Sequence, residues 1–308
     1  MGAKSDTEAR RKRIAALAYD YASKPAKRRL CCNLCGADRF VTLTHRDRYG
    51  FSATADGCVR CGLVFLNPVM TASAYAEFYA DVYRPLVSAY HGRLIDAESI
   101  QGEQREYASS NADFIETRLR DRRCKTLLDV GGSTGVVAHV MKQRFDLLAT
   151  VIDPAPLEIE VARGLGLETV TGFVEDYDSG GATYDLILLC QAVDHLLDVS
   201  LSLSKIRDLL SDWGLFFVDI VDFRAAYRRN GSVEEAIKID HPYYLTDETI
   251  RTYLARAGFD VLAINCAADQ LHVGYLCAPG QKHPDALPEP ASVRDQWREI
   301  RAIQNPLP

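Results

Sequence analysis

No apolar run in this chain approaches the roughly 20 residues that a membrane-spanning helix needs. The charged start MGAKSDTEARRKR has no apolar signal core behind it. There is no excess of positive charge: 36 Lys and Arg against 42 Asp and Glu give a formal charge of −6. That removes the global electrostatic case for a nucleic-acid partner or an anionic membrane. No internal repeat and no low-complexity segment stands out. The nine cysteines are odd in number and follow no secretory signal, which argues against a disulfide framework. These absences predict a soluble, cytoplasmic protein. What is present suffices for a sizeable core: 47% of the 308 residues are apolar, enough for one large domain and a small one.

The texture of the chain changes along its length. Residues 1–30 are charged and basic, and RRKRIAALAYDYASKPAKRRL suggests a short amphipathic helix ending near Pro25. Residues 31–66 hold a cysteine cluster. Residues 67–123 have helical periodicity and many tyrosines, and read as a helical cap or linker. From residue 124 to 280, short apolar runs alternate with helix-like stretches. KTLLDV, LLATVID, YDLILLC and GLFFVDIV suit parallel strands buried on both faces. VVAHVMKQRF, PLEIEVARGLG and LSLSKIRDLLSD suit the helices between them. This alternation implies an α/β, doubly wound open sheet. DETIRTYLARAGF adds a helix with Thr246 as N-cap and Gly258 as stop. FDVLAIN and QLHVGYLCA follow with too few residues between them for a helical crossover, so they pair antiparallel. Residues 281–308 look like a loosely attached C-terminal extension.

Two pairs, Cys32-x-x-Cys35-Gly and Cys58-x-x-Cys61-Gly, supply four thiolates at a spacing that fits a tetrahedral Zn²⁺. Cys31 is the spare and replaces Cys32 if the register shifts. Four thiolates leave no open coordination position, so the ion is expected to be structural. A segment this short cannot bury enough core alone, and the metal would supply its folding energy. Cys124, Cys190, Cys266 and Cys277 fall in or beside apolar runs and are expected to be buried, inert thiols.

LLDVGGSTG, residues 127–135, is a glycine loop at the end of a strand. A dinucleotide loop starting at Gly131 needs glycines at 133 and 136, where Ser133 and Val136 stand. A P-loop needs a Gly-Lys-Ser/Thr end, and no lysine follows. The spacing that survives is Asp129-x-Gly131-x-x-x-Gly135. It resembles the first motif of class I S-adenosylmethionine-dependent methyltransferases, an acid followed by G-x-G-x-G, with Ser133 at the middle glycine. The resemblance covers about residues 105–278 and implies a mostly parallel, seven-stranded Rossmann-like sheet. It also implies donor contacts from Asp129, Gly131, Gly132, Ser133 and Gly135. Asp153, in ATVIDP, falls where the family binds the ribose hydroxyls. Phe173 and Val174 fall where it packs on adenine, and Gln191 where it flanks the sulfonium. Ser133 either keeps an ordinary φ or contributes its hydroxyl to the donor.

Methyl transfer needs an aligned nucleophile and, for a hydroxyl, removal of a proton. The loop IDHPYYLTDE would rise at the sheet edge where ligands bind in such folds. There Asp240 stands beside His241, the natural base near neutral pH, and Tyr243 and Tyr244 can line a polar pocket. Asp194-His195 is a second such pair, which in the family is commonly structural. The remaining histidines form no constellation. CGLVFLNP followed by FYADVYR is similar to the junction in bacterial methyltransferases that carry an N-terminal zinc-binding domain. DHPYYLT is similar to a segment of nucleotide-sugar C-methyltransferases, although their long C-terminal domain has no counterpart here. These resemblances imply a small saccharide-like acceptor, with Tyr79, Tyr83 and Arg84 in a cap over the site. O-methylation of a hydroxylated metabolite is the leading expectation. C-methylation of a nucleotide-activated keto sugar, an RNA methyltransferase gripping phosphates with its zinc ribbon, and a non-catalytic adaptor stand as alternatives. Against RNA methylation, the amino-methylating N/D-P-P-Y/F motif is absent, and CQAVDH occupies its place.

Overall fold

Strand β1 (Thr126–Val130) is buried at nearly every position, as a strand between two others must be when helices cover both faces. The computed structural model describes residues 2–119 and 124–305. Met1, the stretch 120–123 at the expected cap boundary, and the end of the expected extension at 306–308 lie outside the described residues. β1 is joined in one sheet by β2 (Leu148–Asp153), β3 (Glu168–Thr171), β4 (Tyr184–Leu189), β5 (Leu210–Val221), β6 (Phe259–Cys266) and β7 (His272–Pro279). The order is β6-β7-β5-β4-β1-β2-β3. Pairs among β1 to β5 are parallel. β7 runs antiparallel to both β5 and β6, so the expected doubly wound, mostly parallel seven-stranded sheet is present. Among the described residues no helix is long and apolar enough to cross a membrane.

Local chemistry explains the flanking helices. Thr246 caps the helix Asp247–Ala257 through a reciprocal capping box with Thr249, and Gly258 ends it in the left-handed region. This helix and Val199–Leu209 cover one face of the sheet. The other face packs against Gln101–Leu119, Val136–Phe145 and Pro156–Gly164. Gln101–Leu119 was expected within the cap, but Ala108, Ala112, Ile115 and Leu119 bury it in the sheet layer. Among the described residues, Ala72–Asp81 and Tyr83–His91 remain to form a cap.

The N-terminal helix spans Gly2–Ala15 and stops well before Pro25. Ala18 takes a positive φ of 52°, and Tyr19 and Tyr21 then pack against Phe51 and Phe78. Those ring contacts hold the chain out of a helix. The C-terminal segment is not loose. The helix Pro290–Gln304 buries Val293, Gln296 and Ile300, and Gln296 donates to the carbonyl of Gly62 at 2.8 Å. Glu299 pairs with Arg224 and Arg228. Cys277 is buried as expected, whereas Cys124 and Cys190 are partly exposed and Cys266 is exposed. Cys266 closes an edge strand whose side chains alternate between solvent and sheet.

The cysteine segment forms a second sheet from Phe40–Thr44, Ala55–Cys58 and Val64–Leu66. Tyr243–Tyr244, from far along the chain, pairs onto its edge, with Tyr243 opposite Phe65 and Tyr244 opposite Val64. That pairing covers an otherwise open strand edge. The loop expected to bear catalytic residues is thereby tied to the cysteine ribbon.

Candidate active site

A cleft of about 400 Å³ opens at the C-terminal ends of β1, β2 and β4, beneath the helix Tyr83–His91. Such sheets bind ligands at this place, where the strand order reverses. Gly131, Ser133, Asp153, Phe173, Val174 and Gln191, named in the sequence as donor-contact residues, all line it. The glycine loop crosses from β1 to the helix Val136–Phe145. Gly131 has φ +68°, and a Cβ there would come within 2.8 Å of that of Ala192, so glycine is required. Gly132 and Gly135 serve packing instead. A Cβ on Gly132 would meet the Asp129 carboxylate at 2.7 Å, and one on Gly135 would meet Leu167 and Ala162. Neither lines the cleft. Asp129 is fully buried beneath the loop rather than in the cleft, because its strand runs on under the turn. Burial, and then the charge of Asp153, push its pKa up to about 7.

Asp153 ends β2 with its carboxylate on the cleft wall. Oδ2 accepts from the Ser133 amide at 2.9 Å, and Oδ1 from the Ala155 amide at 2.8 Å. Burial raises its pKa to about 6, although both amides oppose the shift. Ser133 does adopt a positive φ, 51°, a region that costs a non-glycine residue. Its hydroxyl donates to Glu158 Oε2 at 2.9 Å and accepts from Arg84 at 3.2 Å. Arg84 Nε meets Glu158 Oε1 at 2.9 Å. Arg84, expected in a cap over the site, is thus committed to a bridge between that cap and the glycine loop.

The two histidine pairs meet behind this cleft. His195 lines it, whereas Asp240, His241, Tyr243 and Tyr244 do not. His241 is only 6% exposed. Its Nδ1 lies 2.8 Å from Asp194 Oδ2, and its Nε2 lies 3.3 Å from both Asp240 Oδ2 and Lys238 Nζ. Its ring centroid stands 4.4 Å from that of His195. The Tyr243 hydroxyl donates to Leu197 O at 3.2 Å, and the Tyr244 hydroxyl to Lys238 O at 2.6 Å. The expected catalytic loop therefore supports the site from behind, because its tyrosines are drawn into the ribbon sheet. Tyr79 reaches His195 Nδ1 at 2.9 Å and donates to the carbonyl of Asp240 at 3.3 Å. With the single Tyr79 hydrogen placed on the carbonyl, which can only accept, His195 Nδ1–H donates to the phenol oxygen. Nε2 of His195 then keeps its lone pair. Burial, and next the charge of His241, lower the His195 pKa to about 4.

Sequence reasoning missed several residues. Glu103, Gln104 and Tyr107 enter the cleft from the helix Gln101–Leu119. Tyr107 donates to Asp219 Oδ2 at 2.6 Å, and Asp219 Oδ1 accepts the Gln191 amide at 2.6 Å. That fixes Gln191 at φ 50°. Asp219 is buried at the end of β5, where only a charged residue inside an apolar run could have signalled it. Glu175 lines the cleft beside Phe173 and Val174, and its buried Oε2 has no hydrogen-bond partner. A glycine cradle, an acid at the end of the second strand and an orphaned acceptor beside an apolar wall fit the parts of an adenosyl donor.

In the ribbon, Sγ of Cys32 lies 3.5 Å from that of Cys61, and Cys35 lies 3.5 Å from Cys58. The four thiols cluster within 4.8 Å of one another. Tetrahedral Zn–S bonds of about 2.3 Å place sulfurs roughly 3.8 Å apart, close to what is found. Both knuckles close alike, with Gly36 donating to Cys32 O and Gly62 to Cys58 O at 2.9 Å. Cys31 is exposed and outside the cluster.

A methyltransferase-domain family profile matches residues 101–264. A ubiquinone biosynthesis O-methyltransferase from Methylocella silvestris is 33% identical over 97 residues, 30% of this chain and 38% of that protein. A probable (S)-tetrahydroprotoberberine N-methyltransferase from Papaver bracteatum is 24% identical over 196 residues, 58% of this chain and 54% of that protein. The chain thus spans between about a third and just over half of the length of these curated relatives. An S-adenosylmethionine-dependent methyltransferase structure from Clostridium acetobutylicum superposes with a TM-score of 0.47 at 14% identity, covering 55% of this chain and 91% of that one. With just over half of its residues matched, the chain belongs to the methyltransferase-domain family.

Proposed function

We propose that the protein transfers a methyl group from S-adenosylmethionine to a hydroxyl of a small, saccharide-like metabolite. The observation that carries this reading is His195. It stands on the wall of the donor cleft with one ring nitrogen fixed by Tyr79 and the other left as a lone pair.

The donor supplies a methyl group already activated by its sulfonium. Asp153 would accept the ribose hydroxyls, Phe173 and Val174 would flank adenine, and Glu175 Oε2 would take a hydrogen bond from the base. Gly131 lets the backbone approach the amino-acid end. His195 Nε2 would take the acceptor's proton as its oxygen attacks. With a pKa near 4 the ring is neutral at physiological pH, so its lone pair is free for that proton, which it takes as a weak base. His241, held between Asp194 and Asp240, acts as a positioning residue for His195. The rings of Tyr79 and Tyr83, 5.6 Å apart beside His195, support a saccharide-like acceptor, since such rings stack on sugars. The cysteine ribbon would hold a structural Zn²⁺ through Cys32, Cys35, Cys58 and Cys61.

Thermal unfolding with S-adenosylmethionine and with S-adenosylhomocysteine tests the donor. Both are expected to raise the melting temperature, and Asp153→Ala to abolish the rise. No shift with either compound would sink the reading. The acceptor class is tested by screening hydroxylated sugars and sugar phosphates for S-adenosylhomocysteine formation.

A further inference from the structure

Arg10 and Arg48 come from distant parts of the chain, yet both lie over the ring of Tyr90, with guanidinium carbons 4.2 and 4.3 Å from its centroid. Arg48 also donates to the Tyr90 hydroxyl. Arg13 joins them: its Nε donates to Ala89 O at 2.7 Å, and its guanidinium rests against Gly92. Lys238 approaches from a fourth segment, next to Ile237, whose carbonyl accepts the Arg48 amide at 2.9 Å. His91 senses this concentration of charge. Burial, and then Arg48, Arg93, Arg10 and Lys238, push its pKa below the ordinary histidine value.

Part of this charge is answered within the chain. Arg93 pairs with Glu103 at 2.8 Å, and Lys238 feels Asp240. Among the described residues, no carboxylate comes within ion-pair distance of Arg10, Arg13 or Arg48. The Nε–H groups of Arg10 and Arg48 are buried and have no acceptor. A buried donor without an acceptor is costly, and gathering three like charges, two from the helix Gly2–Ala15 and one from the distant Arg48, adds repulsion. An anion with several acceptor oxygens removes both penalties. Guanidinium forks match phosphate oxygens in pairs, and three of them offer more donors than one carboxylate can use.

We propose that Arg10, Arg13 and Arg48 form a binding site for a phosphate group carried by the methyl acceptor. Tyr83 opens the helix Tyr83–His91 at the donor cleft, and Tyr90 stands seven residues further on. At 1.5 Å per residue, the site lies roughly 10 Å along that helix from the cleft. A phosphorylated metabolite of that length could place a hydroxyl beside His195 and its phosphate among the arginines. The assignment to the acceptor rests on the proposed methyl transfer, whereas the anion site itself is read by binding alone.

Isothermal titration of the full chain with inorganic pyrophosphate, run with and without saturating S-adenosylhomocysteine, tests this. One saturable site is expected. Its Kd should weaken at least about tenfold in Arg10→Gln and in Arg48→Gln, and less in Arg48→Lys. S-adenosylhomocysteine affinity should stay within about twofold in all three variants, which also shows that they are folded. Absence of saturable binding, or a Kd that neither glutamine variant changes, overturns the site. Pyrophosphate binding by a chain that does not bind S-adenosylhomocysteine overturns the assignment to a methyl acceptor. A single-stranded RNA oligonucleotide that binds these arginines and is not displaced by pyrophosphate would overturn the proposal in favour of a nucleic-acid surface.

Discussion

His241 Nδ1 lies 2.8 Å from Asp194 Oδ2, so two Asp-His dipeptides that look self-contained in the sequence meet across the fold. Burial alone would raise the Asp194 pKa, but the charge and hydrogen bond of His241 hold it below the ordinary carboxylate range. The ionised Asp194 in turn fixes the His241 ring, whose face and edge meet His195. This side of the cleft is therefore built in two layers, and of the two histidines His195 is the one that lines the cleft.

The two histidines should fail in different ways. His195→Ala is expected to lower kcat by about 10² to 10⁴ while leaving donor affinity and melting temperature nearly unchanged. His241→Ala removes the hydrogen-bonded partner of two buried carboxylates, Asp194 and Asp240, and loss of one partner of a buried pair costs about 3–5 kcal/mol. It should reduce the melting temperature first and kcat only with it. Equal loss of kcat in a His241 variant of normal stability would return the role of base to His241.

Donor binding should depend on pH through Asp153. Its folded pKa is about 6, above the ordinary value, so the carboxylate proposed to accept the ribose hydroxyls is lost to protonation below that pH. S-adenosylhomocysteine affinity is expected to fall about tenfold per unit below pH 6, and Asp153→Asn should bind weakly without that slope. The same raised pKa means that ionising Asp153 disfavours folding. Its contribution to stability is greatest below about 3.8 and declines as pH rises through about 6. A pH-independent affinity between 5 and 7 would remove Asp153 from the ribose site.

Ser133 separates strain from bonding. In Ser133→Ala the bridge to Glu158 and Arg84 is lost and the positive φ remains, at a cost of about 1–2 kcal/mol for a residue with a Cβ. In Ser133→Gly the bridge is equally lost but the strain is relieved. The glycine variant should therefore be more stable than the alanine variant by about 1 kcal/mol in urea unfolding. Both should release S-adenosylhomocysteine several-fold faster, since each weakens the tie between cap and loop. Equal stability of the two would mean that the loop relaxes to an ordinary φ when the bridge is cut.

The sheet was legible because its signal is local. Leu127, Leu128 and Leu186 to Leu189 are buried runs that only a covered parallel strand explains, and Thr246 and Gly258 mark their helix by backbone chemistry. β3 was not legible: its residues Glu168–Thr171 are exposed or half-buried, so no apolar pattern marks this edge strand. The strand-end half of the cleft could be read from spacing, since Gly131, Asp153, Phe173 and Gln191 stand at or within two residues of a strand end. The acceptor half could not. Whether Asp240-His241 or Asp194-His195 faces the cleft depends on Tyr243 and Tyr244 joining a sheet formed about 180 residues earlier in the chain, and no local pattern encodes such a pairing. The same holds for Arg10 and Arg48, which are unremarkable surface charges until Tyr90 brings them together.

A structural Zn²⁺ in the ribbon, as proposed, would be read through Trp297. Its ring covers Gly57, leaving no room for a Cβ there, and Gly57 immediately precedes Cys58. The neighbouring Gln296 holds the carbonyl of Gly62, just beyond Cys61. The C-terminal helix thus grips the second cysteine knuckle on both sides, and loss of the ion should loosen both contacts at once. Of the two tryptophans, Trp213 is already 62% exposed, so in a Trp213→Phe background the emission reports Trp297 alone. Purified protein is expected to release one equivalent of Zn²⁺ to a chromogenic chelator, with a red shift of that emission and a lower melting temperature. Cys58→Ser should show the shifted emission without chelator, whereas Cys31→Ser should behave as the parent does. Because Tyr243–Tyr244 is a strand of the same ribbon, metal loss should also reduce turnover more than it weakens donor binding. Emission and turnover unchanged after complete zinc removal would show that the ribbon holds its shape by packing alone.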